Sequence, residues 1–316
     1  MTTVTAFAPA TVSNVACGFD VLGFALVAPG DTVTARFAPA RSAAVSIADI
    51  AGDEGRLPRE AARNTAGIAA QALLARVGET RGVVLTIRKG LPLSSGLGGS
   101  AASAVAAVVA VDALIGSRLG LDVLMACAFE GERVGAGSGH GDNIAPSLYG
   151  GFVLVRVANP PDVVRLPVPA GLTAVVIHPD LEIETAKARA LLGETVPLAD
   201  AVRQWANLGA FVDALHRGDY ALMARALEDT IAEPRRAALV PGLAAIKQAA
   251  TAAGALGCSL SGSGPSLFAL CRTAESADRV AAAMSAAVTA AIGGEPRTYV
   301  SPIASAGARV IDACAS

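Results

Sequence analysis

Aromatic residues are scarce in this 316-residue chain: they make up 4% of it, with a single tryptophan. That leaves too few rings for a base-stacking platform. No block rich in Lys and Arg stands out, and 25 basic residues balance 27 acidic ones. A nucleic-acid partner is therefore not expected. Histidine is also rare. His140, His178 and His216 lie far apart, and no Cys/His cluster has metal-ligand spacing. The cysteines, Cys17, Cys127, Cys258, Cys271 and Cys314, are odd in number and widely spaced, without a Cys-x-x-Cys. They read as free thiols in a reducing cytoplasm. The first residues do not place a basic stretch before an apolar one, so no signal peptide is expected. Residues 90–111 and 248–271 carry no charge, yet Gly, Ser and Pro interrupt both runs. Neither offers about 20 predominantly apolar residues in one helix, so no membrane contact is expected.

The sequence has, instead, a 53% hydrophobic composition and length enough for two domains. Apolar and polar residues alternate at 4–8 and 31–37, which predicts strands, and 83–87, 152–157 and 172–177 add three more. Residues 59–77, 100–114 and 121–131 read as helices. After about residue 185 helices dominate: 185–192, 200–216, 219–229, 239–253 and 277–292. Short apolar runs at 258–260 and 267–271 bracket Ser261-Gly-Ser-Gly-Pro265, and 297–300 is strand-like. That order suggests an α+β sandwich in the C-terminal half. Asn159-Pro160-Pro161 marks a break, so the expected division is 1–160 and 161–316.

The most informative segment is residues 92–106, Pro-Leu-Ser-Ser-Gly-Leu-Gly-Gly-Ser-Ala-Ala-Ser-Ala-Val-Ala, between a strand and an Ala-rich helix. Glycines at a helix start let the backbone close around a ligand, and the free N–H groups there attract a phosphate. A plain Gly/Ser loop capped by Ser100 is the alternative. The segment does not end in Gly-Lys-Ser/Thr, so it is not the usual triphosphatase loop. Gly96-Leu97-Gly98-Gly99-Ser100-Ala101 fits G-x-G-x-x-A, but residues 89–95 separate it from the strand, which disfavours a dinucleotide fold.

Pro92 and the run from Gly96 to Ala101 resemble the phosphate loop of the GHMP kinases, the superfamily of galactokinase, homoserine kinase, mevalonate kinase and phosphomevalonate kinase. Gly99 stands where the family form has its first serine; Ser100 keeps the second. Asn14, Gly18, Phe19 and Asp20 resemble the amino-acid-binding motif of the homoserine-kinase branch. Glu132, His140, Asp142, Asn143, Ala145 and Pro146 resemble its second motif, in a stretch read as a Gly-rich loop. Ser261 to Ser266 resemble the third, which closes over phosphates and substrate.

The resemblance implies a two-domain α+β GHMP kinase fold: an N-terminal domain like the second domain of ribosomal protein S5, and a C-terminal ferredoxin-like α/β sandwich. It implies an ATP-dependent kinase of the L-homoserine hydroxyl, making O-phospho-L-homoserine for threonine synthesis, with Mg²⁺ and as a homodimer. ATP is assigned to Asn64, Pro92, Leu93, Ser94, Ser95, Gly96, Leu97, Gly98, Gly99, Ser100, Ala101, Ser263 and Gly264. Ser100 and Glu132 hold Mg²⁺, and Asn64 doubles as a helix cap by its position. Asn14, Asp20, His140, Asn143, Arg189 and Arg236 orient the substrate. A carboxylate suits its ammonium and a guanidinium fork its carboxylate. Spacing from Pro234 favours Arg236 over Arg235. Asp142 is the candidate general base by chemistry; supporting Asn143, or a reaction with no protein base, are the alternatives. A kinase of another small alcohol, such as mevalonate or shikimate, and a non-catalytic ATP- or amino-acid-binding regulator are the competing functions.

Overall fold

A computed structural model describes residues 2–39, 44–135 and 139–314. Among them lie strands β1 (Thr3–Ser13), β2 (Leu22–Phe37), β3 (Val45–Ala51), β4 (Val83–Arg88), β5 (Phe152–Val157), β6 (Asp162–Leu166), β7 (Thr173–His178), β8 (Gly257–Leu260), β9 (Leu267–Cys271), β10 (Arg297–Pro302) and β11 (Arg309–Cys314). The α-helices are α1 (Thr65–Val77), α2 (Gly99–Ile115), α3 (Leu121–Gly135), α4 (Gly141–Tyr149), α5 (Thr185–Ala190), α6 (Leu198–Arg217), α7 (Tyr220–Ala226), α8 (Ala232–Arg236), α9 (Leu243–Ala252) and α10 (Ala274–Ile292).

Two sheets carry the fold. The first runs β11-β1-β2-β4-β3, with β5 and β6 continuing from β2; the second runs β10-β7-β9-β8. The division expected at residue 160 falls in the turn between β5 and β6, which pair within the first sheet, and β11 returns to that sheet beside β1. β3 and β4 are parallel and joined through α1, whereas the other pairings are antiparallel.

Burial explains which elements a sequence pattern shows. α2 is buried around most of its circumference, against α1, α3, β1 and β2. Alanines line it (Ala101, Ala102, Ala104, Ala106, Ala107), and they face small residues of β1 such as Ala6, Ala8 and Ala10. A helix covered on all sides loses its polar stripe. The uncharged run at 90–111 is thus a loop followed by the central core helix α2, and among the described residues no helix is long and apolar enough to cross a membrane. β3, β6 and β11 escape the sequence reading because they lie at sheet margins. β3 buries only Val45 and Ile50, and β11 is exposed along its whole length.

The second sheet is buried on both faces. Val175 and Ile177 of β7, with Leu267 and Ala269 of β9, pack on the side of α9 and α10. Their alternates, Ala174, Val176, Phe268 and Leu270, join the core of the first sheet, as a two-residue period requires. Phe24 of β2 makes the junction, with its ring centroid 4.9 Å from Phe152 and 5.8 Å from Phe268; Phe211 of α6 stacks 5.9 Å beyond Phe152. This shared aromatic cluster fixes one sheet against the other and so sets the cleft between them.

Truncating Phe268 therefore weakens both halves together. Phe268→Ala is expected to cost about 3–5 kcal/mol, the usual range for a buried Phe. Circular dichroism and Trp205 fluorescence should shift by the same amount in urea. Separation of the two curves would show that the sheets unfold independently.

Candidate active site

The loop between β4 and α2 is shaped by close approaches. Ser94, Gly96 and Gly98 have φ of 52°, 76° and 66°. A Cβ on Gly96 would lie 2.4 Å from the Ser261 carbonyl oxygen, and one on Gly98 only 2.2 Å from Thr11 Oγ1. Glycine alone satisfies both the backbone angle and the space. Gly98 precedes α2 and supplies no side-chain cap, so the first N–H groups of the helix are not taken by a capping side chain. Ser100 is the second residue of the helix rather than its cap. Leu97 is buried and accepts the Thr11 N–H at 3.1 Å, which pins the loop to β1.

A second loop follows β1. Asn14, Val15, Ala16 and Asp20 all take positive φ, a concentration of backbone strain typical of ligand sites. Asn14 holds the loop together: its Nδ2 donates to the Gly262 carbonyl at 2.7 Å and its Oδ1 accepts the Asp20 N–H at 3.1 Å. The Ser261–Pro265 turn is the third loop. Ser261 Oγ donates to the Gly96 carbonyl at 2.7 Å, and the Ser266 N–H to the Ser95 carbonyl at 3.3 Å. The three loops expected from the sequence therefore meet through direct hydrogen bonds.

Arg189 of α5 reaches across to Asp20 in a two-pronged ion pair of 2.5 and 3.1 Å. Arg236 is buried; its Nε donates to the Ala188 carbonyl at 3.2 Å and its Nη1 to the Gly262 carbonyl at 3.1 Å. Burial, and then the Arg189 charge, lower the proton affinity of its guanidinium. Both guanidinium groups sit over the Phe19 ring, at 5.5 and 5.2 Å. Arg235 donates instead to the carbonyls of Leu192 and Thr195, away from the cleft.

Asp142 and Asn143 occupy the first turn of α4, not the Gly-rich loop the sequence suggested; residues 136–138 of that stretch lie outside the described residues. Asn143 accepts from Thr11 Oγ1 at 2.8 Å and donates to Ser13 Oγ at 3.0 Å. Asp142 is fully enclosed and accepts the Asn14 N–H at 3.2 Å. Burial, and secondarily the Asp20 charge, push its carboxyl up to about 6. His140 Nδ1 lies 3.7 Å from Glu132 Oε2, and hydrogen bonding to Glu132 raises the imidazole's proton affinity.

These groups surround a cleft of about 390 Å³. It is lined by Asn14, Asp20, Asn64, Ser100, Glu132, His140, Asn143, Arg189, Arg236 and Ser263, and by the loop residues Pro92 to Gly96, Gly98 and Gly99. Leu97, Ala101, Asp142 and Gly264 stand behind this surface. Asp142 thus holds Asn14 and the loop after β1 from behind the cleft surface. Asn64 does both jobs: it borders the cleft and caps α1 through the Ala66 N–H at 3.0 Å. The sequence reading missed Arg56, Lys89, Ser103 and Thr185, which also line the cleft. Lys89 had a local signal as the charge that closes β4 just before the uncharged run, and Ser103 as a serine within the 92–106 segment.

Comparison with known proteins matches this geometry. The pattern of the GHMP kinases N terminal domain covers residues 64–151, and that of GHMP kinases C terminal covers 211–290. A homoserine kinase of Chlorobaculum tepidum is 46% identical over 98% of this chain and 99% of its own. The chain belongs to the homoserine kinase family. A relative from Xanthomonas campestris pv. campestris, also a homoserine kinase, is 45% identical over 97% of this chain and 93% of its own. The crystal structure of homoserine kinase from Cytophaga hutchinsonii superposes with a TM-score of 0.94 at 47% identity, covering 98% of this chain and 97% of that one. Membership makes the protein an ATP-dependent small-molecule kinase. The two family patterns include the phosphate loop, Glu132, Arg236 and the Ser261–Pro265 turn. Asn14, Asp20 and Arg189 lie outside both, within the full-length similarity.

The Asp142 carboxyl gives the protein a defined pH response. Its proton affinity is higher folded than unfolded, so ionising it opposes folding. Stability should fall as pH rises from about 3.8 to about 6 and this contribution then levels off. Raised His140 works the same way above pH 6.5, where the folded state holds a proton that the unfolded state has lost. Asp142→Asn should flatten the lower segment, by at most about 3 kcal/mol at 1.4 kcal/mol per pH unit, and leave the upper one. Urea unfolding at pH 4, 5, 6 and 7.5 reads this. A parent with no stability change between pH 4 and 6 would contradict it.

Proposed function

We propose that the protein transfers the γ-phosphoryl group of ATP to the side-chain hydroxyl of L-homoserine, giving O-phospho-L-homoserine on the route to threonine. The observation that carries this reading is the union in one cleft of a helix start without a side-chain cap, a buried carboxylate with one oxygen unpartnered among the described residues, and an Asp–Arg–Arg set. The first suits phosphates, the second a cation, and the third a zwitterionic amino acid.

Glu132 Oε1 is buried and has no hydrogen-bond partner among the described residues, a costly state for a carboxylate oxygen unless something binds it. Among the described residues no trio of His, Cys, Asp or Glu forms a complete metal cage. One carboxylate and the Ser100 hydroxyl fit Mg²⁺, which takes few protein ligands when phosphates and water supply the rest. When bound, Mg²⁺ neutralises charge on the transferring phosphoryl group. The chain's own residues do the positioning. The N–H groups at the start of α2 hold the phosphates. Asp20 receives the substrate ammonium, and Arg189 and Arg236 its carboxylate, so the hydroxyl is presented at a fixed reach. In the present structure Asp20 and Arg189 satisfy one another, and substrate replaces that single pair by two. Asn14, Asn143 and His140 border the same space. Asp142 lies behind them, and orientation and charge neutralisation carry the reaction.

Two outcomes test the assignment. Ser100→Ala and Glu132→Gln should each lower kcat by roughly 100- to 1,000-fold, the loss typical of one charge-stabilising contact. Coupled ADP release at saturating Mg²⁺ measures it, and near-normal turnover would remove them from the metal site. Asp20→Asn should lower kcat/KM for L-homoserine by roughly 10- to 100-fold, and much less for its des-amino analogue. Arg236→Leu should instead tolerate the decarboxylated analogue. Equal losses on all three substrates would contradict the amino-acid clamp.

A further inference from the structure

Beneath the phosphate loop lies an ion pair with no part in the function described so far. Lys89 follows β4, and Asp31 sits in the middle of β2. Their side chains are 3% and 0% exposed and form a direct salt bridge. All three ammonium protons are used: one goes to Asp31 Oδ2, one to the Gly99 carbonyl at 2.6 Å and one to Ser103 Oγ at 2.9 Å. Asp31 in turn accepts the Gly90 N–H at 2.9 Å and the Ser103 hydroxyl at 2.7 Å. Gly99 is the first residue of α2, and Ser103 lies one turn on. Lys89 and Ser103 both reach the cleft surface, whereas Asp31 does not.

The placement has an electrostatic consequence. The start of α2 attracts phosphate through its positive end. A bare carboxylate one layer below it, sealed from solvent, would oppose that attraction with little screening. We propose that Lys89 is a positioning residue for the nucleotide. Its ammonium ties the first turn of α2 to β2 and cancels the Asp31 charge beneath the phosphate loop, without touching the ligand. A buried carboxylate is then tolerable because it rigidly orients Lys89, Ser103 and the Gly90 N–H, which fix the two ends of the loop. This inference rests on reading that loop as the phosphate cradle.

The test is equilibrium binding of adenosine, AMP, ADP and ATP, without Mg²⁺, to the full-length protein and three variants. The wild type should prefer ATP to adenosine. Lys89→Met should weaken ATP by roughly 30- to 100-fold and adenosine by less than about threefold, with the loss growing along the phosphate series. Asp31→Asn should not weaken ATP, and Lys89→Met/Asp31→Asn should return it to within roughly fivefold of wild type, because the opposing charge is gone. A merely structural role predicts similar losses for all four ligands, and that result would overturn the proposal. So would an unchanged ATP affinity in Lys89→Met, or a double variant no better than the single. Should Lys89→Met fail to fold, the other two variants decide: ATP weakened more than tenfold in either overturns the proposal, and ATP affinity kept in both supports it. A wild type that binds adenosine as well as ATP would overturn the cradle reading and this inference with it. A wild-type preference that survives unchanged in Lys89→Met would overturn this inference alone.

Discussion

The backbone contact between the phosphate loop and the Ser261–Pro265 turn is the constraint on which the rest of the cleft depends. Gly96 comes so near the Ser261 carbonyl that no side chain could be inserted, and Ser261 Oγ bonds back to the Gly96 carbonyl. Gly262 then accepts from both Asn14 and Arg236. One short turn from the second sheet thus fixes the loop before α2, the loop after β1 and a cleft-lining guanidinium at once. The Phe24–Phe152–Phe268 cluster holds the two sheets at the separation this contact needs.

Electrostatics are arranged in layers around that frame. At the cleft surface Asp20 pairs with Arg189 beside Arg236, and Glu132 keeps one oxygen unpartnered among the described residues. Behind them, buried carboxylates serve the backbone instead. Asp142 holds Asn14, Asp31 holds Gly90 and Lys89, and Asp229 accepts the N–H groups of Ile231, Ala232 and Glu233 at the start of α8, which carries Arg236. Buried charge is costly unless it is hydrogen-bonded, and here each of these carboxylates secures a loop or helix that carries a cleft-lining residue. Two ion pairs tie the α5 segment to the first half of the chain: Asp20–Arg189 from the helix itself and Arg56–Glu182 from just before it.

Much of this was legible in the sequence, for physical reasons that differ by element. The phosphate loop announces itself because positive φ and close packing both demand glycine at fixed positions. α2 and the paired strands β7 and β9 show as apolar runs because they are buried all round. β3, β6 and β11 are hidden because marginal strands carry no burial pattern. Asp142 and Asn143 read as loop residues since glycines at 135, 137, 139 and 141 precede them, yet α4 begins at Gly141 and buries Ile144, Ala145 and Leu148. The pairing of Lys89 with Asp31, 58 residues away, and of Arg189 with Asp20, 169 away, has no local signature. The first contact is set by the register of β4 against β2 and the second by how α5 meets the loop after β1, neither of which a short-range pattern encodes.

The most direct measurement of the central claim is ³¹P NMR of a reaction containing the protein, ATP, Mg²⁺ and L-homoserine. The account predicts loss of the γ-phosphate resonance and growth of ADP together with a phosphomonoester signal coupled to the methylene protons of homoserine. Inorganic phosphate as the sole product, or a phosphomonoester that forms with mevalonate or shikimate but not with homoserine, would contradict it.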